Sequence, residues 1–449
     1  MTVEVLTQHV VSTSKDARDE KSRTFLFSVL CLWLWSTMFY YNHLGVPSAV
    51  RPDRILAVFV GFLAIRAQMR GLFSKFKFGF LEFLMLLFTG ACFLSLVVSG
   101  SNRTVGVGAN TEINEVFNLT IYPYLTYLIA RQIPYSRRRF LWFLGVMVLI
   151  GAYLGFTAIF ERYDMDTFIF PKYIADMSIG IHQGRSRGPF LQAVFMGYNL
   201  IVCLFCIYLR LSEMRSRTGF LLLLVFAFAI ILGIYFTNTR GAWLALALGL
   251  MAASTLRSSV RRIAIGVNLV LALGFFFSGA SQFSLSGGNL FTKRQNTLEQ
   301  RDLNYRIAFH MGLDHPLTGV GFSRMGYEFD KYFVKYYKGE EWQGWDGNHN
   351  EYLGLFAEVG ITAPLLYSLI LFLVGKRAFS GSRYYPPEMA LERSLAVCTV
   401  GALFGFALIS YFNQVRAAPF HICIIFLLAG IAASARDAVL QANQEMAPA

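Results

Sequence analysis

The chain has 449 residues, of which 55% are hydrophobic and only 15% are charged, and its mean hydropathy is +0.49. This composition excludes a water-soluble globular domain and a disordered chain, and it is typical of a protein that lies in a lipid bilayer. The formal net charge of +13 does not indicate a nucleic-acid partner, because the sequence contains no soluble domain that interleaves basic and aromatic residues.

Apolar segments recur along the whole chain. A helix needs about 20 mainly apolar residues to cross a hydrocarbon core about 30 Å thick. The sequence therefore predicts an all-α polytopic membrane protein with about twelve transmembrane helices, near residues 25–41, 54–66, 78–99, 116–131, 140–160, 189–209, 219–236, 241–256, 263–279, 352–374, 394–411 and 418–434.

Basic residues predict the orientation of these spans. Each loop assigned to the cytoplasm holds at least three lysines or arginines, such as Arg137, Arg138 and Arg139, whereas the short loops on the other face hold fewer. This bias predicts that both termini lie in the cytoplasm. Because no small-residue cleavage site follows the first apolar segment, we interpret that segment as an uncleaved span.

The predicted organisation has one large loop on the outer face. From the N-terminus, the predicted parts of the chain are a cytoplasmic tail (1–24), nine spans with an outer loop at 161–188 (25–279), a large outer loop (280–351), three spans (352–434) and a second cytoplasmic tail (435–449). An outer loop of about 70 residues is expected to carry structure or function of its own. Within it, residues 301–316 predict a short amphipathic helix ending at Pro316. The aromatic residues of 323–345 are typical of a membrane interface or of a surface that stacks on sugars.

Arginines collect on the predicted outer face. Arg240 lies between two spans in TNTRGAWL, Arg185 and Arg187 precede the sixth span in GRSRGPF, and Arg301 and Arg306 lie in the first turns of the loop helix. Arginine stays charged and binds phosphate oxygens in a bidentate manner. A ring of arginines at this level favours an anionic lipid or a lipid-linked diphosphate, although a single arginine can also anchor a helix among the headgroups.

A second polar cluster occurs in GNHNEYLGLFAEVG. His349 is flanked by Asn348 and Asn350, and Glu351 follows at the predicted start of the tenth span. A neutral imidazole is the usual general base for a hydroxyl group, and a neighbouring amide or carboxylate can fix its tautomer. The alternative is a structural histidine at the interface. Glu358 is expected to lie on the same helix face as Glu351 and to pair inside the bundle.

The sequence shows no metal-binding motif such as HExxH or DxD. We therefore predict a metal-independent site without a cofactor, in which arginines balance the charge of a departing diphosphate. All six cysteines fall in predicted spans. We interpret the CxxC pair Cys203 and Cys206 as buried apolar thiols rather than a redox or metal site.

Three motifs resemble elements of the O-antigen ligase and polymerase superfamily and occur in the same order. TNTRGAWLALALGL resembles the Ser/Thr-x-Ser-Arg-Gly element. RDLNYRIAFHMGLDHPLTGVGF resembles the Arg-x-x-x-Trp stretch that leads into Asp-His-Pro-Leu-x-Gly-Val-Gly. HNEYLGLFAEVGI resembles the His-Asn-x-x-Leu element that ends in Glu-Leu-Gly. The resemblance covers about 185–365, and the first half of the chain matches only as a hydrophobic bundle.

The resemblance implies a GT-C-like glycosyltransferase in the bacterial inner membrane, with its active site facing the periplasm. Such proteins move a glycan from undecaprenyl diphosphate to a hydroxyl group, either on the lipid A core (ligases) or on another lipid-linked repeat unit (polymerases). His349 matches the family's essential histidine, and Arg240 and Arg301 match its diphosphate-handling arginines. Arg187 matches an arginine before the sixth span, although the Pro-Asn or His-Pro that often follows is missing. Tyr305 stands where the family has tryptophan.

Three functions remain open at this point. We expect an inverting O-antigen ligase. An O-antigen or exopolysaccharide polymerase would use the same donor and the same motifs. A transporter of lipid-linked oligosaccharides could also have twelve spans, but it should show paired half-bundles and ionisable residues near the bilayer midplane. Here the polar residues gather at one face, which favours an enzyme.

Overall fold

The computed structural model describes residues 14–47, 50–74, 78–98, 112–180, 184–254, 289–337, 347, 349–382 and 385–446, with positions 261, 265, 266, 268 and 269. This part of the chain is helical and contains no β-strand. Its α-helices are α1 (Ser14–Ser36), α2 (Pro52–Met69), α3 (Phe80–Val98), α4 (Glu112–Val116), α5 (Tyr122–Gln132), α6 (Arg137–Arg162), α7 (Ala193–Leu211), α8 (Arg217–Phe236), α9 (Arg240–Ser254), α10 (Asn289–Asp314), α11 (Met325–Tyr336), α12 (Glu351–Val359), α13 (Thr362–Gly381), α14 (Ala390–Phe412) and α15 (Phe420–Met446).

Seven helices among the described residues are long and apolar enough to cross a membrane, namely α3, α6, α7, α8, α13, α14 and α15. The chain is therefore a polytopic membrane protein. The outer end of the bundle is defined here as the end that contains the last residues of α8 and α14 and the first residue of α9. The opposite end, where α7 ends and α8 begins, is the inner end.

Other predicted spans fall on helices that are shorter or more polar. The apolar part of α1 ends at Ser36, so the predicted span 25–41 includes the turn that follows. Helix α2 contains three charged side chains, those of Asp53, Arg54 and Arg66. The span predicted at 116–131 lies on a helical run in which the π-helical turn Phe117–Ile121 joins α4 to α5. The total of twelve spans therefore stays a prediction.

Helix α2 nevertheless presents an apolar stripe to its surroundings. Val58, Phe62, Ile65 and Met69 are each more than half exposed. They recur at spacings of three and four residues, so they lie on one side of the helix. An exposed apolar stripe of this kind is what a helix in contact with lipid requires.

Some predicted segments lie outside the described residues. These are the tail up to residue 13, most of the ninth span at 263–279, residues 280–288, 338–346 and 348 of the large loop, and residues 447–449.

In the second half of the chain, the predicted continuity of the span 352–374 and the predicted start of the loop helix are wrong, whereas the predicted end of that helix before Pro316 is confirmed. The predicted span 352–374 consists of two helices, α12 and α13, which are separated at Gly360 by a backbone φ of +94°. The amphipathic helix predicted at 301–316 is the C-terminal half of the longer helix α10. Consequently, the polar cluster around His349 precedes a separate nine-residue helix rather than the membrane-length helix α13.

Helix α14 organises the outer end because it packs against α9, α13 and α15. Helices α9 and α14 run antiparallel. The backbone of α14 at Gly401 faces position 249 of α9, and position 405 faces Ala245. The first residue of α9 is thus brought to the last turn of α14.

A cluster of ion pairs links four helices at the inner end. Glu82 of α3 forms ion pairs with Arg131 of α5 and, at 3.2 Å, with Arg377 of α13. Both arginines also approach Asp437 of α15, at 3.5 and 3.8 Å. Because Glu82 is buried, these partners offset the cost of removing its charge from water.

Candidate functional site at the outer end of the bundle

Arg240 lies beside the end of α14. It is the first residue of α9, and its side chain is exposed. A side chain at the next position, Gly241, would begin 4.0 Å from the ring of Phe412. The antiparallel packing of α9 on α14 thus brings the guanidinium of Arg240 to the outer end.

The start of α12 is also bound at the end of α14. The backbone N–H of Val415 donates to Glu351 at 2.8 Å, and the hydroxyl of Tyr352 donates to the carbonyl of Ala407 at 3.1 Å. Asn350 caps α12 by accepting from the N–H of Leu353 at 3.0 Å, which satisfies one backbone donor of the first turn. His349, which is half-buried, is the residue immediately before this cap.

Helix α10 supports the turn that holds His349. The Tyr305 hydroxyl donates to the His349 carbonyl at 3.2 Å, and the Asn304 amide donates to the Gly347 carbonyl at 3.2 Å. Burial raises the pKa of Tyr305, and the positive charge of Arg301, one helical turn earlier, opposes this shift. Arg301 and His349 are therefore both neighbours of the Tyr305 side chain.

Arg306 points along another side of α10. Its guanidinium is 3.0 Å from Asp302 and lies 4.7 Å from the centre of the Tyr337 ring. An ion pair and a cation–π contact therefore hold the Arg306 side chain within the loop region. Asn348 lies outside the described residues.

Arg187 is fully buried. Its guanidinium donates to the carbonyls of Ile179 at 2.6 Å and of Ile174 and Asp176 at 3.2 Å. These bonds stabilise the fold of the loop between α6 and α7 and leave Arg187 no exposed surface. Arg185, in contrast, is exposed. The N–H of the residue after it, Ser186, donates to the carbonyl of Phe236 at the end of α8, at 3.1 Å.

The central residue of this region is Arg416, which no sequence motif predicted. It is fully buried in the 3₁₀ turn after α14. Its guanidinium lies 3.4 Å from Glu115, 3.5 Å from Glu351 and 2.6 Å from Glu358, and 4.7 Å from the centre of the Phe322 ring. The predicted inward pairing of Glu358 is thereby confirmed. A single arginine in a short loop gave no signal beyond membrane topology.

Burial raises the pKa of Glu351 to about 7, and it also raises the pKa of Glu358. Arg416 opposes both shifts, but it is shared among three carboxyl groups. The structure thus gathers three carboxyl groups, two of them on the helix that follows His349, around one arginine.

Two of the quoted motifs lie directly against each other. The N–H of Val320 donates to the carbonyl of Ala357 at 2.8 Å, and the N–H of Gly321 donates to that of Glu358 at 3.0 Å. At Gly319 a Cβ atom would lie 2.1 Å from the Glu358 carbonyl carbon, so only glycine permits this contact. The turn that follows Asp-His-Pro therefore packs against the end of α12.

In the part of the chain that the structure describes, no group of three or more histidine, cysteine, aspartate or glutamate side chains is placed to hold a metal ion. Metal independence itself stays a prediction. The six cysteines are buried free thiols, as the sequence predicted.

Residues 224–368 match the model of a protein family described as O-antigen ligase. This match confirms the resemblance to the O-antigen ligase and polymerase superfamily. The matched segment contains Arg240, Arg301 and His349, whereas Arg416 and Glu115 lie outside it. No curated protein matches the chain.

Proposed function

We propose that this protein is a bacterial inner-membrane glycosyltransferase that moves a glycan from undecaprenyl diphosphate to an acceptor hydroxyl on the periplasmic side. Its acceptor would be the lipid A core, which makes it an O-antigen ligase. The observation that supports the proposal is that residues 224–368, which contain Arg240, Arg301 and His349, match the O-antigen ligase family, and that the starts of α9 and α12 both lie at the end of α14.

His349 would act as the general base. Its imidazole takes the proton of the acceptor hydroxyl while that oxygen attacks the anomeric carbon of the glycan. The bond between the anomeric carbon and the diphosphate oxygen breaks, and undecaprenyl diphosphate leaves with the electron pair. A single displacement of this kind inverts the anomeric centre. Tyr305 and Asn350 would hold the backbone on either side of the imidazole.

Arginines would stabilise the departing diphosphate. Its negative charge grows in the transition state, where a bidentate guanidinium is most effective. Arg240 and Arg301 are assigned this role. Arg185 is proposed as the third group in place of Arg187, because Arg185 is exposed next to the end of α8 whereas Arg187 is bound to loop carbonyls. With arginines in this role, the reaction would need no metal ion.

A gene deletion tests this proposal. Lipopolysaccharide and undecaprenyl-linked glycans are compared in the deletion strain, with and without the wild-type gene. A ligase predicts bare lipid A core in the deletion strain, with long polymer stranded on undecaprenyl diphosphate. Single repeat units on the core, or loss of a secreted polysaccharide with an unchanged core pattern, would instead assign a polymerase. If neither the core nor the lipid-linked pool changes, glycan transfer is refuted and transport becomes the leading function.

A further inference from the structure

A cavity of about 260 Å³ opens at the outer end, and Glu115 in its lining contacts Arg416. It is enclosed by the end of α1 with the turn Tyr41–Leu44, the start of α2, the run from α4 into the π-helical turn, and residues 417–419. Small-molecule sites typically have volumes of about 300–1,000 Å³. This slightly smaller cavity suits one or two ring-sized groups.

The lining combines amide groups with phenol rings. Asn42, Asn114 and Asn118 supply the amides, and Tyr40 and Tyr122 are among the aromatic residues. Amides and phenols both donate and accept hydrogen bonds, as the hydroxyl groups of a sugar require. The ring faces add rigid apolar surface against which the C–H face of a sugar can pack.

The charges of the lining are largely balanced within the wall. Arg51 donates two hydrogen bonds to Asp53, at 3.1 and 2.8 Å. Glu115 lies 3.4 Å from Arg416 and also accepts from the Ser323 hydroxyl at 2.8 Å. Arg54 is the other charged side chain of the lining. A neutral or weakly acidic ligand fits this balance better than a diphosphate or a metal cation.

The cavity is connected to the proposed catalytic residues through a short chain of contacts. Glu115 lines the cavity and contacts Arg416. Arg416 contacts Glu351, which follows His349 by two positions. Asn118, also in the lining, donates to the Arg416 carbonyl at 3.1 Å. The same buried arginine therefore supports the cavity wall and the helix behind His349.

We propose that this cavity binds a sugar ring of one of the two glycan substrates, an inference that rests on the glycosyltransferase function proposed above. The acceptor glycan is the expected source. The arginines assigned to the donor diphosphate lie on α9, on α10 and in the loop before α7, whereas the cavity is walled mainly by α1, α2 and α4. A donor sugar has the same chemistry and is distinguished by experiment.

The test uses the purified full-length protein in lipid nanodiscs, with lipid-linked donor and acceptor glycan varied separately. Asn114→Phe fills the cavity, and Tyr122→Phe removes one hydroxyl while keeping the ring that packs on Trp33. Asn443→Phe, at an exposed position near the inner end of α15, is the matched control. Loss of one hydrogen bond corresponds to about a three- to tenfold change. We expect Tyr122→Phe to raise the KM for the acceptor by that factor and Asn114→Phe to raise it further, with kcat and the KM for the donor unchanged.

Each outcome decides between the proposals. A rise in the KM for the donor instead would assign the sugar site to the donor glycan. Unchanged KM values for both substrates, with an active wild type, would overturn the sugar site and leave the proposed function intact. If the wild type transfers no glycan, the proposed function fails. In that case, saturation-transfer NMR with lipid-free core oligosaccharide tests the sugar site directly. A signal that the wild type shows and Asn114→Phe lacks supports the site. An equal signal in both proteins, or no signal in the wild type, overturns it. If Asn114→Phe does not fold, Tyr122→Phe carries both tests.

Discussion

At the scale of single residues, His349 differs from the other described histidines in its surroundings. His421 is fully buried and stacks on Phe195 at 4.2 Å between ring centres, and His310 stacks on Tyr336 at 4.2 Å. His315 is exposed in the turn after α10. His349 is half-buried, and its backbone is held by the Tyr305 hydroxyl and by the start of α12. A general base requires an accessible imidazole, and a fixed backbone helps to position it.

We expect His349→Ala to lower the rate of glycan transfer by about 10²–10⁴-fold, which is the usual contribution of general-base catalysis. The thermal unfolding midpoint should stay close to that of the wild type, because the half-buried ring is not part of the core. Transfer is measured with purified protein, and His315→Ala serves as the matched control. Transfer by His349→Ala at a rate near that of the wild type would refute the assignment of the base.

Two arginines on α10 allow a paired test of diphosphate binding. Arg301→Lys is expected to lower kcat/KM by about ten- to a hundredfold, because a point charge cannot replace a bidentate guanidinium. Arg306→Lys should change kcat/KM by only about twofold, because that side chain is held by an exposed ion pair with Asp302. Equal losses in the two variants would contradict the separate roles.

At the scale of elements, the short helix α12 is held in place by Arg416. Removing one partner of a buried ion pair typically costs about 3–5 kcal/mol. We expect Arg416→Met to lower the free energy of unfolding by about that amount and to abolish transfer, because Glu115, Glu351 and Glu358 lose their shared partner. Denaturant unfolding in detergent measures this change. The exposed Arg138→Met is the control, and similar losses in both variants would argue against the network.

The raised pKa of Glu351 predicts a pH dependence of stability. Burial raises this pKa from 4.5 to about 7, so the folded state favours the protonated carboxyl group. The resulting stabilisation is complete below the unfolded-state pKa and is lost as the pH rises through about 7. The free energy of unfolding should therefore fall by roughly 1–3 kcal/mol between about pH 5 and about pH 8.

In Glu351→Gln this decrease should be smaller, because the amide does not titrate and its oxygen can still accept from the Val415 N–H. Unfolding midpoints at a series of pH values measure the effect, with Glu213→Gln at the inner end as the control. Identical pH profiles for the wild type and Glu351→Gln would contradict the assignment of this carboxyl group.

The sequence identified those elements that depend on local pattern. The long apolar runs of α6, α7, α8, α14 and α15 predicted membrane-length helices, since each can cross the bilayer alone. The break at Gly360 was missed because its cause is the close approach of Leu317, 43 positions earlier, where a Cβ atom on Gly360 would lie 2.7 Å from the backbone. Arg416 was missed for a similar reason. Its carboxyl partners come from α4 and α12, and their proximity depends on tertiary packing.

At the scale of the whole molecule, charged clusters lie at the two ends of an apolar bundle. The cluster around Glu82 marks the inner end, and the one around Arg416 marks the outer end. Between them lie α6, α7 and α8, each long and apolar enough to cross a membrane. A crossing by α7 would place the segment between α6 and α7 on the opposite side of the membrane from the segment between α7 and α8. The second segment is short, and Arg210, Arg215 and Arg217 lie in it or at the adjoining helix ends. This density of basic residues predicts that it faces the cytoplasm.

A pair of threonine-to-cysteine variants tests this topology. Thr167 precedes α7 at the outer end and Thr218 begins α8 at the inner end, and both are exposed. The six native cysteines are buried, so in the folded protein they should not react and can stay in place. A membrane-impermeant maleimide applied to intact spheroplasts should label Thr167→Cys. It should label Thr218→Cys only after the membrane is permeabilised.

The reverse labelling pattern would place the His349 region in the cytoplasm, where a periplasmic acceptor could not reach it. Labelling of both variants in intact spheroplasts would contradict a membrane crossing by α7. The wild type, which carries only the buried cysteines, controls for labelling of native thiols. Because α9 and α14 fix Arg240 and His349 to the same end as Thr167, one measurement on the loop between α6 and α7 also orients the proposed active site.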